Sequence, residues 1–223
     1  MGKLIDGKWV KSDLILNDSK GDFVRPARSF LSTIDNEDLS FKPESNRYHL
    51  YVSYACPWAH RCLIVLHLKG LTKHITYSVV HPYMGEYGWS FEKNFEGATG
   101  DHLYGLSYLY QLYLKADKDI STTVTVPVLW DKKKKTIVNN ESSLIIRILD
   151  SKFNDFSENT ISYYPDNKAK EIDKWNDKIY ESINNGVYRC GFASTQKSYE
   201  EAFNKLFSAL DDLDMHFSNN QYL

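Results

Sequence analysis

The order of hydrophobic patterns between residues 47 and 152 limits the folds open to this chain. The strand-like run "YHLYVSYA" precedes apolar positions at helical spacing that stop at Gly70, a good helix C-terminal residue. A second strand, "HITYSVVH", is followed after a long aromatic segment by the strands "TVTVPVLWD" and "KTIVN" and by a helical pattern in "NNESSLIIRILDSKF". The order strand, helix, strand, strand, strand, helix predicts an α/β domain over residues 47–152.

The remainder of the chain has a different character. Two helical patterns and no strand-like run follow the polar linker 153–166, which predicts that residues 167–223 begin an all-α domain. The apolar positions of the two patterns are Ile172, Trp175, Ile179 and Ile183, and then Phe203, Leu206, Phe207, Leu210 and Leu213. Residues 1–46 are polar with few apolar anchors, and we expect an irregular N-terminal extension.

Charge and cysteine content exclude several classes of function. The 27 basic and 29 acidic residues give a net charge of −2, which does not suggest a nucleic-acid partner. Nowhere do about eighteen apolar residues run together, so we expect no membrane span. Three cysteines without paired spacing argue against a disulfide framework and against a metal site, and they favour a reducing, cytoplasmic compartment.

Cys56 lies where the first predicted strand gives way to the first predicted helix. The unpaired N–H groups of the first turn and the helix dipole favour a thiolate there and lower the thiol pKa. Pro57 suits the first helical position, and Ala59 stands where a Cys-x-x-Cys motif would have its second thiol, so Cys56 must react with an external thiol. Cys62 points away from Cys56 and is expected in the core. The alternative for Cys56 is also a buried apolar residue.

Two further stretches point to a ligand. Pro127 interrupts an apolar strand, which requires an edge or a bend, with a cis bond as one option, and exposes neighbouring backbone groups to a ligand. "NNESS" opens a helix, so the N–H groups of Glu141 and Ser142 could bind a carboxylate while the Glu141 side chain accepts from an ammonium group. These features predict a site for a small zwitterion; a simple capped helix is the alternative.

With these residues, the chain resembles the xi class of the glutathione transferase superfamily, the glutathionyl-hydroquinone reductases. The motifs that carry the resemblance, in family order, are "YVSYACPWAHRCLIV", "YGWSF", "TVTVPVLWD", "TIVNNESSLIIRIL" and "NNGVYRCGFASTQKSYEEAF". The resemblance implies a thioredoxin-like N-terminal domain with a mixed four-stranded sheet, then an all-α C-terminal domain. The family usually continues beyond a stretch like "FSALDDLDMHF", so the C-terminal domain is expected to be incomplete. Members of the family tend to homodimerise.

The resemblance also implies a reaction. The cysteine matched by Cys56 attacks the sulfur of a glutathionyl adduct, which releases the hydroquinone and leaves a protein–glutathione mixed disulfide. A second glutathione, the co-substrate, then removes it as oxidised glutathione. Tyr188 matches the family's proton-donating tyrosine, although a tyrosine after a helix more often serves packing. Arg61 and His60 are interpreted as helix surface.

By the same resemblance, five residues bind glutathione. Trp89 packs against the tripeptide, the backbone of Val126 beside Pro127 pairs with the cysteinyl part, and Glu141 with Ser142 holds the γ-glutamyl end. Two alternatives stay open: an omega-like transferase that acts on dehydroascorbate or small mixed disulfides, and a non-catalytic or inactive truncated module with the same fold.

Overall fold

The chain divides into two compact units. A computed structural model describes residues 2–12, 16–35, 37 and 40–223. Unit 1 comprises Met1–Leu14 and Ala27–Tyr163, and unit 2 comprises Ile15–Pro26 and Tyr164–Leu223. In sequence order, the first segment of unit 2 therefore lies between the two segments of unit 1.

Unit 1 contains the strands and three of the helices among the described residues. The strands are β1 (Gly2–Ile5), β2 (Lys8–Lys11), β3 (Tyr48–Val52), β4 (Thr76–Val79), β5 (Met84–Gly85), β6 (Gly88–Trp89), β7 (Thr122–Thr123), β8 (Val128–Asp131) and β9 (Thr136–Asn139). The helices are α1 (Pro57–Leu68), α2 (Leu109–Ala116) and α3 (Ser142–Ser151), with short 3-10 helices at Leu71–Lys73 and Asn154–Phe156.

The central sheet has four strands in the order β4-β3-β8-β9. β3 pairs parallel with β4 and antiparallel with β8, and β8 and β9 form an antiparallel hairpin. All five residues of β3 are buried, as in a strand covered on both faces. The buried side chains of α1 are at positions 59, 62, 63 and 66, which is the spacing of one helical face, and α1 packs against α3. The predicted mixed four-stranded sheet is confirmed.

The N-terminal residues differ from the irregular extension expected over residues 1–46. β1 and β2 form a hairpin around Asp6 and Gly7, both at positive φ, and β1 also pairs with β7. The Asp-Gly pair is a strong signal for a two-residue hairpin turn, and the polar composition around it obscured that signal. Further on, Leu31 forms a bridge to Asn139 at the edge of β9. Backbone hydrogen bonds place this polar segment, because pairing at a sheet edge needs no apolar pattern.

The second unit is helical, as the sequence predicted. Its helices are α4 (Ala169–Ile179), α5 (Gly186–Phe192) and α6 (Gln196–Phe217), with a π-helical turn at Tyr180–Asn184 between α4 and α5. The segment 16–26 belongs to this unit: the hydroxyls of Thr195 and Ser198 donate to the Lys20 carbonyl, and Arg189 forms a 2.5 Å ion pair with Asp22. In the described ranges, no helix combines the length and apolar character needed to cross a bilayer.

One buried histidine of unit 1 makes the free energy of unfolding depend on pH. His49 on β3 is fully buried, with Nδ1 2.7 Å from Thr76 Oγ1 and Nε2 2.9 Å from Ser78 Oγ. Burial, with a smaller contribution from the Lys132 charge, lowers the His49 pKa from 6.5 to about 3. The imidazole is therefore neutral at pH 7 in the folded protein.

We expect the free energy of unfolding to fall as the pH drops below 6.5. In that range His49 takes up a proton in the unfolded chain but not in the folded protein. The stabilisation is therefore fully present above pH 6.5 and is lost as the pH falls towards the folded pKa of about 3. Between pH 7 and pH 5 the His49 contribution amounts to about 2 kcal/mol. Urea unfolding at both pH values should show a loss smaller by this amount in His49→Gln than in the wild type. Equal losses in the two proteins would contradict the assignment.

Candidate active site

The Cys56 thiol lies at the N-terminus of α1. Cys56 has an extended backbone (φ −105°, ψ 111°), and its carbonyl accepts the N–H groups of Ala59 and His60 at 3.1 and 3.0 Å. Pro57 occupies the start of the helix. The side chain is half-buried, and Sγ is 3.6 Å from the carbonyl oxygen of Val126. The thiol thus lies beside the first turn of the helix and retains access to solvent, unlike a core cysteine.

The other two cysteines differ from Cys56. Cys62 is fully buried, with Sγ 3.6 Å from the Trp58 carbonyl oxygen and 3.7 Å from that of Ser142. Burial raises the Cys62 pKa well above its usual value, so this thiol stays protonated. Burial also raises the pKa of Cys190 in unit 2. No disulfide joins any of the three, all of which lie in the described ranges, and the prediction of Cys62 as a core residue is confirmed.

The carbonyl that faces Cys56 belongs to a bend before β8. The Val126–Pro127 peptide bond is cis, and β8 begins one residue later, at Val128. The expected bend at Pro127, with its cis option, is confirmed. The strand over "TVTVPVLWD" is shorter than expected, because Thr122–Thr123 pairs with β1 in a different sheet. Pro127 cannot donate to a strand partner, which explains why the strand starts after it. The bend brings a residue 70 positions along the chain to the thiol.

Glu141 and Ser142 open α3, as predicted. Glu141 is the N-cap residue, and its Oε1 accepts from the N–H and the hydroxyl of Ser143, both at 3.0 Å. The Glu141 N–H donates to Asn139 Oδ1 at 2.8 Å, so the expectation that it would bind a carboxylate is wrong. Within the described part of the chain, the Ser142 N–H donates to no backbone carbonyl. One orphan helix N–H therefore stays available for an anion.

Two arginines flank the Glu141 carboxylate. Arg61 on α1 donates through Nε and Nη2 to Ser142 Oγ at 3.1 and 2.7 Å, and its Nη2 is 3.8 Å from Glu141 Oε1. Arg28 has its Nε 3.8 Å from Glu141 Oε2. The interpretation of Arg61 as helix surface is wrong, because the packing of α1 on α3 brings its guanidinium to Ser142. No sequence signal links positions 61 and 142, which only the tertiary structure brings together.

Trp89 and Tyr188 lie on other elements. Trp89 is opposite Met84 in the hairpin of β5 and β6, half-buried against the hydrophobic core of unit 1. Tyr188 is on α5 of unit 2, where its ring centroid is 6.3 Å from that of Phe23 and 4.4 Å from the guanidinium carbon of Arg25. The Tyr188 ring is thus held by an aromatic and a cationic neighbour within its own unit.

Comparison with known proteins agrees with this architecture. A family model described as the N-terminal domain of glutathione S-transferase matches residues 55–152. The glutathionyl-hydroquinone reductase PcpF of Sphingobium chlorophenolicum is 48% identical over 223 residues, which are 100% of this chain and 70% of that protein. The solved xi-class transferase of Natrialba magadii superposes with a TM-score of 0.92 at 46% identity, over 100% of this chain and 67% of the other. The chain belongs to the xi class of the glutathione transferases.

A second solved xi-class relative bears on the ligand. The structure of YqjG, a glutathione transferase homologue from Escherichia coli K-12, contains bound glutathione. It matches with a TM-score of 0.84 at 46% identity, over 100% of this chain and 68% of that chain. The resemblance inferred from five sequence motifs is thereby confirmed, and so is the thioredoxin-like fold of the N-terminal half.

Proposed function

We propose that this xi-class transferase reduces glutathionyl-hydroquinones to hydroquinones, with glutathione as co-substrate and a mixed disulfide at Cys56 as the intermediate. The observation that carries the proposal is the half-buried Cys56 thiol at the N-terminus of α1, 3.6 Å from the Val126 carbonyl. Ala59 stands where a local resolving thiol would be, so the mixed disulfide must be resolved by an external thiol. The name of the relative PcpF supports the same substrate class.

We assign each part of glutathione to a different segment of unit 1. We assign residues 47–152 as the glutathione-binding domain. The γ-glutamyl carboxylate binds at the start of α3, at Ser142, and the ammonium group pairs with the Glu141 carboxylate. The backbone of Val126, beside Pro127, pairs with the cysteinyl residue and so directs its sulfur towards Cys56. Trp89 packs against the tripeptide from the hairpin of β5 and β6.

The chemistry proceeds in two exchanges. The Cys56 thiolate attacks the glutathionyl sulfur, a sulfur–sulfur bond forms, and the carbon–sulfur bond to the ring breaks. The electron pair of that bond stays on the ring carbon, which takes a proton from the Tyr188 hydroxyl to give the hydroquinone. The thiol proton of a second glutathione returns, through solvent, to the Tyr188 oxygen. The resulting thiolate attacks the bound glutathione sulfur, oxidised glutathione leaves, and the Cys56 thiolate is restored. Two glutathionyl sulfurs are oxidised and the aromatic ring is reduced.

Two properties of the protein stay predictions from the sequence. Three cysteines without paired spacing favour a reducing, cytoplasmic compartment. Homodimerisation is implied by the family resemblance, and light scattering of the purified chain would measure it.

The proposed reaction is tested by its products. Purified protein incubated with a glutathionyl-hydroquinone and glutathione should release hydroquinone and oxidised glutathione in equal amounts. Turnover of dehydroascorbate or of a small mixed disulfide, with no hydroquinone formed, would favour the omega-like alternative. Failure on all three substrates would favour a non-catalytic module.

Tyr188→Phe should separate the two exchanges. Without the hydroxyl the ring carbon loses its proton donor, so we expect hydroquinone release to slow by about 100-fold or more. Reduction of a mixed disulfide of glutathione should keep its wild-type rate, because the leaving thiolate needs no proton from Tyr188. Phenylalanine retains the ring that packs beside Phe23, so the fold is preserved. Equal losses in both reactions would show that Tyr188 is a packing residue.

A further inference from the structure

Arg61 is held between α1 and α3 in a single orientation. Its Nε and Nη2 lie 3.1 and 2.7 Å from Ser142 Oγ, and Nη2 lies 3.8 Å from Glu141 Oε1. The guanidinium carbon is 5.0 Å from the centroid of the Trp58 ring. A planar guanidinium with contacts to a hydroxyl, a carboxylate and an aromatic face has little freedom to rotate. Its two bonds to Ser142 are therefore a fixed feature of the site.

These two bonds determine the direction of the Ser142 hydroxyl proton. Guanidinium N–H groups only donate, so Ser142 Oγ accepts in both bonds and its lone pairs face Arg61. The proton must then point away from Arg61. Its other close partner is Glu141 Oε1 at 3.5 Å, at the outer limit of a hydrogen bond. The proton is therefore available to a stronger acceptor.

The Ser142 N–H lies next to that proton and is also available. Ser142 is the first residue of α3, and its N–H donates to no backbone carbonyl among the described residues. Ser142 is 97% buried, since only 3% of its surface is exposed, so a hydrogen bond to its donors is largely shielded from water. Two donors on one residue at a helix N-terminus match a carboxylate.

We propose that Arg61 is a positioning residue that turns Ser142 into a double donor for the α-carboxylate of the γ-glutamyl group. Arg61 thereby makes the site specific for ligands that carry this carboxylate. The inference rests on the proposed function, because it takes glutathione as the ligand of Glu141 and Ser142. One charge-assisted hydrogen bond of this kind corresponds to about 10-fold to 100-fold in affinity.

Arg28 provides a matched control. Its Nε is 3.8 Å from Glu141 Oε2, the same distance that separates Arg61 from the other carboxylate oxygen, and it makes no hydrogen bond to Ser142 among the described residues. Arg28→Met and Arg61→Met therefore remove the same charge beside Glu141. Only the second change releases the Ser142 hydroxyl.

The experiment measures protection of Cys56 from alkylation by two ligands. S-methylglutathione carries the α-carboxylate, and S-methyl γ-aminobutyryl-cysteinyl-glycine keeps the ammonium group but lacks that carboxylate; neither consumes the alkylating agent. We expect Arg61→Met to raise the concentration of S-methylglutathione for half-protection about 10-fold to 100-fold and to leave that of the second ligand nearly unchanged. Protection by the second ligand also shows that the variant is folded.

Three further proteins complete the test. Ser142→Ala should show the same selective loss of protection by S-methylglutathione. The double variant Arg61→Met/Ser142→Ala should bind S-methylglutathione no more weakly than either single variant, because the two substitutions act on the same hydroxyl. Arg28→Met should change protection by the two ligands by the same factor. Additive losses in the double variant, or equal losses for both ligands in Arg61→Met, would overturn the inference.

The result also separates this inference from the proposed function. If S-methylglutathione gives the wild type no protection, the assignment of glutathione fails, and this inference fails with it. If the wild type is protected while Arg61→Met behaves like the wild type, only the role of Arg61 is refuted.

Discussion

Replacement of Cys56 by alanine is expected to reduce glutathione-dependent turnover by about a thousandfold or more, because it removes the thiol that forms the proposed mixed disulfide. Cys62 is fully buried and its raised pKa keeps it protonated, so it cannot substitute. Cys190→Ser is the control, since Cys190 lies on α5 in unit 2 and has no part in the proposed chemistry. It should retain the wild-type rate. Turnover that survives in Cys56→Ala would end the enzymatic proposal.

The same thiol can be followed without turnover. Incubation with oxidised glutathione should add the mass of one glutathione, located at Cys56 by peptide mapping. The alkylation rate of Cys56 should rise with pH around a midpoint below about 8.5, the value of an unperturbed cysteine, because the N-terminus of α1 favours the thiolate. A midpoint at or above that value would mean that the helix terminus does not activate the thiol.

The buried ion pair of Arg47 and Asp131 underlies the largest expected loss of stability. Asp131 is fully buried at the end of β8, and its Oδ2 accepts from Arg47 Nε and Nη2 at 2.9 and 2.5 Å. The guanidinium also donates to Glu44 Oε1 at 2.7 Å and to the Ser40 carbonyl oxygen at 2.8 Å. The hydrogen bonds to Asp131 raise the Arg47 pKa above its usual value. The ion pair connects the residue directly before β3 to the last residue of β8.

Arg47→Met should lower the free energy of unfolding by about 3–5 kcal/mol, because it leaves the Asp131 carboxylate buried without its counter-charge. Lys73→Met is the control: the ion pair of Lys73 with Glu158 has side chains 76% and 58% exposed, and solvent screens it, so we expect no measurable change. Denaturant unfolding at pH 7 gives both values.

The double variant Arg47→Met/Asp131→Asn should recover most of the loss in Arg47→Met, since it removes both buried charges and keeps an oxygen that accepts from the N–H groups of Lys133 and Lys134. A double variant as unstable as Arg47→Met would show that packing around the guanidinium, and not the unpaired charge, is responsible.

The hydrophobic pattern of the sequence was sufficient to predict the strands of the central sheet and the helices that follow them, because these elements depend on neighbouring residues. Helix α1 runs from Pro57 to Leu68 with Gly70 in the left-handed conformation after it, which agrees with a pattern that stops at a glycine. The hydrophobic periods of 2 and 3.6 residues identified the four strands of the central sheet and the helices that follow them. The polar composition of residues 1–46 predicts no strand there, although Asp6 and Gly7 form the turn of the N-terminal hairpin.

The sequence by itself determined the class of fold, the family, and the placement of Cys56 and Glu141 as N-terminal caps of two helices. Each of these depends on residues within one or two turns of one another, so neighbouring residue types suffice to specify it. The tertiary structure alone decided that the Val126 carbonyl faces the thiol and that Arg61 orients Ser142. The contacts of Val126 with Cys56 and of Arg61 with Ser142 join residues 70 and 81 positions apart, and no periodicity or spacing encodes the angle at which two packed elements meet.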